Sequence, residues 1–266
     1  MKVFLDSVGC RLNQAEIEIM ARQFRAAGHE IVERPAMAEL AVINTCAVTS
    51  RAGSDSRGKI RRIASAGELR IVATGCWATL QAGSAAALAG VSRVVSNVDK
   101  DRLVADLLGV PPHALDLQFT ARLLLPGGRR RTRAFIKVQD GCNNRCTFCV
   151  TALARGRGRS RTLPDVVRDA QAALDGGTKE IVLTGVHLGS WGRDLGLDLK
   201  YLVRGLLAET VVPRLHLSSL EPWDLDEAFF SLWEDPRLCR LLAFAAAERL
   251  CRNAPPHGAQ DVACIV

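Results

Sequence analysis

Six of the nine cysteines form two sets with different spacing, and these sets constrain the chain more than any other feature. One set is Cys142, Cys146 and Cys149, a C-x3-C-x2-C run within a single loop. Iron–sulfur clusters are usually held by four Cys thiolates. Three thiolates from one loop can therefore bind three irons of a cubane cluster and leave the fourth iron open. The run predicts a cluster that binds an exogenous molecule.

The second set is Cys10, Cys46 and Cys76, each of which follows a short apolar run. Strand-like and helix-like patterns alternate over residues 1–109, which predicts a doubly wound parallel sheet. The carboxyl ends of parallel strands meet at one edge, where ligands bind. We therefore expect these three cysteines to converge on a second cluster. The alternative is that each is a small buried core residue, as free cysteines often are.

The second half of the chain has a different organisation. Residues 110–132 are rich in Gly, Pro and Arg and are predicted to be a linker. Residues 133–240 contain about three β/α units, which fits part of a barrel whose active residues lie on loops after strands. Residues 241–266 lack both strand alternation and a helical face, so we expect an aberrant, poorly packed tail. An incomplete barrel would leave a sheet edge and apolar positions exposed.

Positive charge is concentrated around the cysteine loop. The net charge is +7, and residues 129–161 carry ten Lys or Arg against one acid, Asp140. A basic surface of this kind favours a polyanion, and aromatic residues make up only 5% of the chain, so phosphate contact is better supported than base stacking. The predicted RNA-contacting residues are Arg155, Arg157, Arg159 and Arg161. The alternative is an ordinary solvated loop.

The cellular compartment is predicted from composition and from the first residues. No apolar run approaches the length of a membrane span, and the chain begins with a strand-like segment rather than a signal peptide. A cytoplasmic location is expected. In that compartment the nine cysteines are better explained as metal ligands or free thiols than as disulfides.

Several segments resemble one family. DGCNNRCTFC (140–149), RGRGRSR (155–161) and EIVLTGVHLGSWGRDLG (180–196) resemble the radical S-adenosylmethionine methylthiotransferases of tRNA, and most of all the threonylcarbamoyladenosine (MtaB-type) branch. VINTCAVTSRAGSDSRGKIRR (42–62) and ATGCWA (73–78) resemble the N-terminal domain of the same family. The resemblance covers roughly residues 1–240.

The resemblance implies two [4Fe–4S] clusters and S-adenosylmethionine. Cys142, Cys146 and Cys149 would hold the cluster whose open iron binds S-adenosylmethionine, and reductive cleavage would give a deoxyadenosyl radical. Cys10, Cys46 and Cys76 would hold an auxiliary cluster that takes part in sulfur transfer. The implied product is a 2-methylthio group on N6-threonylcarbamoyladenosine beside the anticodon of tRNA. A flavodoxin or ferredoxin would supply electrons.

The resemblance also implies roles for single residues. Phe148 would pack against the adenine, with a core role as the alternative. Ser218 and Glu221 would contact S-adenosylmethionine, although Glu221 could instead cap the helix after Pro222. Two histidines, His187 and His216, are expected in the core or beside the site. The remaining cysteines, Cys239, Cys251 and Cys264, are predicted not to be ligands.

The resemblance ends before the family's own pattern does. The family's barrel continues through further strands and is followed by a small RNA-binding β-barrel domain. We therefore expect a truncated or frame-shifted product, which could be an inactive fragment. A different class of function is a non-catalytic iron–sulfur or zinc-containing RNA-binding protein. A structural zinc site requires four ligands, and the loop has three cysteines.

Overall fold

A five-stranded parallel sheet forms the first half of the chain. The computed structural model describes residues 1–115, 121–123, 125–126, 132–144, 146–147, 149–240 and 243–244. The strands are β1 (Lys2–Ser7), β2 (Glu30–Val32), β3 (Leu40–Thr45), β4 (Arg70–Gly75) and β5 (Val91–Val95). They are ordered β2-β1-β3-β4-β5, and every pair is parallel. This confirms the predicted parallel sheet.

Helices cover both faces of this sheet. They are α1 (Arg11–Ala26), α2 (Ser50–Ala64), α3 (Cys76–Leu80), α4 (Ala82–Ala86) and α5 (Leu103–Leu108). Ile17 and Phe24 of α1 pack with the residues of one face, and Ile60 of α2 packs with those of the other. The central strand β3 is buried at all six positions because both of its faces are covered.

A second parallel sheet follows. Its strands are β6 (Arg133–Lys137), β9 (Glu180–Thr184), β10 (Leu215–Leu220) and the short β11 (Ala243–Phe244), in the order β11-β10-β9-β6. The two-residue strands β7 (Gln139–Asp140) and β8 (Arg159–Ser160) form a separate antiparallel pair beside the cysteine loop. The helices of this half are α6 (Val150–Arg155), α7 (Leu163–Asp175), α8 (Leu199–Glu209) and α9 (Glu227–Phe230).

The start of α7 follows from its sequence. Thr162 accepts a hydrogen bond from the amide of Asp165, and Pro164 occupies the first turn, where its missing N–H costs nothing. The buried face of α7 packs with α8 and the second sheet around Trp191. These are the repeated β/α units that the sequence predicts.

Two observations concern the predicted linker and tail. Within the predicted linker, Arg122 is fixed: its guanidinium binds both carboxylate oxygens of Glu18 at 2.7 Å, and its amide donates to the carbonyl of Ala172. Within the predicted tail, Ala243–Phe244 pairs in parallel with β10. Only these two residues of the tail are described, so its poor packing stays a prediction. Residues 245–266 lie outside the described part of the chain.

The two halves are joined through α1. Arg22 of α1 donates to Asp169 of α7 at 2.7 Å, and both side chains are largely buried. Glu18 of the same helix binds Arg122, as above. No helix in the described ranges is long and apolar enough to cross a membrane.

Candidate metal centre

The backbone of the cysteine loop is held in place by short-range contacts. Gly141 has φ +68°, and a side chain there would collide with the carbonyl of Arg157, so only glycine fits. The amide of Cys142 donates to the carbonyl of Gly156 at 3.0 Å. The amide of Cys149 donates to the carbonyl of Cys146 at 3.1 Å, and α6 begins at the next residue. The loop is thus closed at both ends.

The three thiols of this loop are free and accessible. Cys146 and Cys149 are exposed and Cys142 is half-buried. Desolvation raises the pKa of the Cys146 thiol, and the nearby Cys149, Cys142 and Glu221 raise it further. The C-x3-C-x2-C spacing keeps the three thiols within one short loop. A metal cation would remove this mutual repulsion by holding the thiolates.

The second set of cysteines lies at the carboxyl edge of the first sheet, as predicted. Cys10 follows β1 and precedes α1, Cys46 follows β3, and Cys76 begins α3 directly after β4. Cys10 is exposed, whereas Cys46 and Cys76 are each only 4% exposed. Burial raises the pKa of the Cys46 thiol, and Cys10 and Cys76 contribute to the rise. The strand-end placement therefore brings the three thiols together.

A glycine makes room for this second set. Gly9 has φ +103°, and a Cβ on it would lie 2.6 Å from the sulfur of Cys46. Two of the sulfurs each lie near a side-chain amide: the sulfur of Cys10 is 3.7 Å from Asn13 Oδ1, and the sulfur of Cys76 is 3.6 Å from Asn97 Nδ2. These amide groups place polar contacts against two of the three sulfurs.

Both cysteine sets fit an iron–sulfur cluster by the chemistry of their donors. All six thiols are free and each set is grouped at one place in the fold. Across the ranges that the structure describes, no three His, Cys, Asp or Glu side chains are spaced to hold one metal ion. A cubane cluster spreads its cysteines over separate irons, so thiols that are grouped more loosely suit it.

A buried histidine and two acids lie beside the cysteine loop. His187 Nε2 is 2.9 Å from Asp224 Oδ2, and His187 Nδ1 is 3.3 Å from Asn144 Nδ2 in the loop. Asp224 also accepts from the amide of Glu221 at 3.1 Å. Burial raises the pKa of Glu221, and its Oε2 atom has no hydrogen-bond partner within the described residues. A buried acceptor without a partner is suited to a ligand that donates a hydrogen bond.

The remaining predicted ligand contacts differ in their placement. Ser218 is buried on β10, and its hydroxyl donates to the carbonyl of Leu183 at 2.9 Å, so the hydroxyl is already used within the sheet. Glu221 caps the turn that follows it through a reciprocal pair with Asp224, which confirms the capping alternative. Phe148 lies outside the described residues. His216 pairs with Glu180 at 3.0 Å, away from the loop.

The basic run after the loop divides into two kinds of residue. Arg157 and Arg159 are exposed and free to meet a phosphate. Arg155 is 2% exposed and is hydrogen-bonded to Glu16, Asp140 and Asn13, so its predicted role in RNA contact is wrong. Arg161 is half-buried and binds Asp169 and the carbonyl of Lys137. Its guanidinium is likewise used inside the protein.

The sequence predictions missed a group of buried charged side chains near the second set of cysteines. Glu16, Lys100 and Lys137 are each less than 5% exposed. Burial opposes ionisation of Glu16, but Lys100, Arg155 and Lys137 hold its pKa well below its ordinary value. One signal was present in the sequence: Glu16 lies four residues after Leu12 and four before Met20, in the apolar stripe of α1. A charged residue in such a stripe requires partners.

Comparisons with known proteins agree with this architecture. Residues 2–96 match the uncharacterized protein family UPF0004, and residues 136–232 match the Radical SAM superfamily. By fold, the chain is similar to the radical S-adenosylmethionine methyltransferase TsrM from Kitasatospora setae. The TM-score is 0.64 at 18% identity, over 92% of this chain and 59% of that one. The chain is therefore a radical S-adenosylmethionine protein in which a UPF0004 domain precedes the Radical SAM domain.

Curated relatives give a narrower assignment. The chain is 35% identical over 234 residues to the threonylcarbamoyladenosine tRNA methylthiotransferase MtaB of Bacillus subtilis, covering 82% of this chain and 51% of that protein. It is 34% identical over 246 residues to MtaB of Aquifex aeolicus, covering 87% and 59% respectively. The chain belongs to the radical S-adenosylmethionine methylthiotransferase family, as its motifs predicted. It spans about half the length of the curated relatives it matches.

Proposed function

We propose that this chain carries the cluster-binding part of a tRNA methylthiotransferase. The reaction would place a methylthio group on carbon 2 of N6-threonylcarbamoyladenosine beside the anticodon. The observation that carries the proposal is the presence of two groups of three free cysteines, one at the carboxyl edge of each sheet. Insertion of sulfur at an unactivated ring carbon needs radical chemistry, which cofactors supply and side chains do not.

The roles of the residues follow from their placement. Cys142, Cys146 and Cys149 would hold one [4Fe–4S] cluster, and the absence of a fourth cysteine in the loop leaves an iron for S-adenosylmethionine. When both are bound, the cluster and S-adenosylmethionine would supply the radical that starts the reaction. Glu221 lies directly after β10, and its buried Oε2 atom has no partner within the described residues, so it would accept a hydrogen bond from S-adenosylmethionine.

The second site would take part in sulfur delivery. Cys10, Cys46 and Cys76 would hold the auxiliary [4Fe–4S] cluster. Asn13 and Asn97 lie against two of these sulfurs and would orient them. Ser218 keeps β10 in register with β9 through its bond to Leu183, and so supports the strand end that carries Glu221.

The proposed partners are tRNA and a reductant protein. Arg157 and Arg159 are exposed beside the cysteine loop and would contact tRNA phosphates. A flavodoxin or ferredoxin in the cytoplasm, where tRNA is modified, would supply electrons. The relatives named as tRNA methylthiotransferases support this substrate.

The test is anaerobic reconstitution with iron and sulfide, followed by reduction in the presence of S-adenosylmethionine. We expect two four-iron clusters per chain and release of deoxyadenosine. Substitution of Cys142, Cys146 and Cys149 by Ala should halve the bound iron and abolish cleavage. Cys239→Ala, at a free cysteine outside both sets, is the control and should keep both.

Two results would contradict the proposal. Full cleavage by the triple alanine variant would mean that these cysteines do not hold the reactive cluster. Retention of zinc without cleavage would support a non-catalytic metal-containing RNA-binding protein. Methylthio transfer is measured separately, by mass spectrometry of tRNA that carries N6-threonylcarbamoyladenosine.

A further inference from the structure

A buried group of charges lies where the two halves of the chain meet. Three buried cations (Lys100, Lys137 and Arg155) face two buried carboxylates, Glu16 and Asp140, and Lys137 also pairs with Asp101, whose side chain is 66% exposed. Glu16 and Lys100 belong to the first half, and Lys137, Asp140 and Arg155 belong to the second. Glu16 is 3% exposed and Arg155 is 2% exposed. Burying this many charges is costly unless each is paired, which ties the group to one geometry.

Arg155 contacts residues of both halves of the chain. Its Nη1 atom lies 2.9 Å from Glu16 Oε1 and 2.8 Å from Asp140 Oδ1. Its Nη2 atom lies 2.7 Å from Asn13 Oδ1. The planar guanidinium therefore holds α1 on one side and β7 on the other. A lysine has only a single ammonium and cannot reproduce this divergent pattern.

The contacts of Arg155 lead directly to the first set of cysteines. Asn13, which accepts from Arg155, lies 3.7 Å from the sulfur of Cys10. The amide group of Asn13 donates to the carbonyl of Thr45, the residue before Cys46, at 3.0 Å. Through the side chain of Asn13, the guanidinium of Arg155 is thus linked to the strand ends that carry Cys10 and Cys46.

The helix that ends at Arg155 also leads to the other cysteines. Asn97 Nδ2 donates to the carbonyl of Ala154 at 2.8 Å and lies 3.6 Å from the sulfur of Cys76. Helix α6 begins immediately after Cys149 and ends at Arg155. Asp140, bound by Arg155, accepts from the amide of Gly141, which precedes Cys142. One short helix therefore connects both sets of cysteines.

We propose that Arg155 is a positioning residue that fixes the distance and orientation between the two cysteine sets. It does so by binding Asn13 and Glu16 on the first half and Asp140 on the second at the same time. Sulfur transfer between two separate centres requires such a fixed geometry, because a misplacement of about 1 Å can cost about a hundredfold in rate. This inference rests on the proposed function for the identity of the two centres.

The test compares Arg155→Met with Arg155→Lys and with the wild type. In chains reconstituted with both clusters and reduced, pulsed EPR measures the magnetic interaction between the clusters, and hence their separation. The wild type should give one narrow distribution of distances between the clusters. Arg155→Met should give a broad one with unchanged iron content, and Arg155→Lys should recover only part of the narrow component.

A second variant separates positioning from stability. Arg155→Met removes the link, while the two remaining buried cations, Lys100 and Lys137, still face the buried carboxylates of Glu16 and Asp140. The matched control is Arg22→Met, which removes another buried arginine between the halves, the partner of Asp169. It should lower stability and leave the distribution narrow.

A measurement on the cluster-free chain keeps the inference testable by itself. Hydrogen exchange in Arg155→Met should be about tenfold faster or more at both residues 8–13 and residues 139–142, because both segments lose the same buried partner. Arg22→Met should not accelerate both segments together. Unchanged exchange in Arg155→Met, or a distribution as narrow as that of the wild type, overturns the role of Arg155. A wild-type chain that binds only one cluster instead overturns the proposed function, and the exchange result then still decides the inference.

Discussion

His187 Nε2 lies 2.9 Å from the carboxylate of Asp224, and this pair connects the cysteine loop with the turn after β10. The other ring nitrogen of His187 faces Asn144 of the loop at 3.3 Å, and Asp224 binds the amide of Glu221. The Asp224 side chain is fully buried. The loop that carries three cysteines and the residue proposed to bind S-adenosylmethionine are therefore held by one acid and one imidazole.

Removal of this acid should destabilise the fold. Asp224→Ala leaves the His187 ring and the Glu221 amide without their partner, and a buried group left unpaired costs about 1–3 kcal/mol. The matched control is Asp226→Ala, two residues later, which removes an exposed cap from α9. The cost of Asp226→Ala should be smaller than that of Asp224→Ala, because water can replace the exposed cap. Denaturant unfolding of both variants measures the difference, and equal losses would show that the His187 contact adds nothing.

Gly9→Ala should block the second cluster site. Gly9 has φ +103°, and its new Cβ would lie 2.6 Å from the sulfur of Cys46, so the sulfur must move. We expect the reconstituted variant to retain about half of the iron, with the cluster of the cysteine loop intact. Gly28→Ala is the control, because Gly28 also has a positive φ, +78°, but no atom of the described residues lies within 4 Å of its Cβ position. That variant should lose about 1 kcal/mol of stability and no iron. Full iron content in Gly9→Ala would contradict the assignment of Cys46.

Arg157 and Arg159, the exposed arginines beside the cysteine loop, should contribute to the salt dependence of tRNA binding. Each phosphate contact adds about 0.9 to the slope of log affinity against log salt on duplex nucleic acid. Arg157→Ser with Arg159→Ser should therefore lower the slope by up to about 1.8. The matched control is Arg61→Ser with Arg62→Ser, which removes the same charge from exposed positions on α2. Equal slopes for the two double variants would mean that binding senses only net charge.

Acid should weaken the link between the halves through Glu16. Burial raises the pKa of Glu16, but three neighbouring cations more than offset this, and its pKa in the folded chain lies well below the ordinary value of 4.5. The ionised carboxylate therefore stabilises the fold above about pH 4.5, and this contribution is lost as the pH falls towards the folded pKa.

The check is unfolding free energy as a function of pH for the wild type and Glu16→Gln. Below pH 4.5 the slope of the wild type should exceed that of the variant by up to ~1.4 kcal/mol per pH unit, the value for one proton. Parallel curves for the wild type and Glu16→Gln would show that Glu16 does not titrate differently in the folded chain.

Local sequence determined the elements and the cysteine positions. The parallel sheet follows from apolar runs that alternate with helical periods, and the placement of Cys10, Cys46 and Cys76 at strand ends follows from the same pattern, since strand direction is shared within such a sheet. The C-x3-C-x2-C run brings its thiols together through spacing alone. These features depend on residues close to one another along the chain.

Only the tertiary structure decided what the charged residues do. Arg155 and Arg157 are two positions apart in one basic run, yet the first is buried against Glu16 and the second is exposed. Glu16 and Arg155 are separated by 139 residues, so no local pattern relates them. The role of an arginine depends on whether a carboxylate that is distant in sequence binds it in an interface without water. This is decided only when the two halves pack against each other.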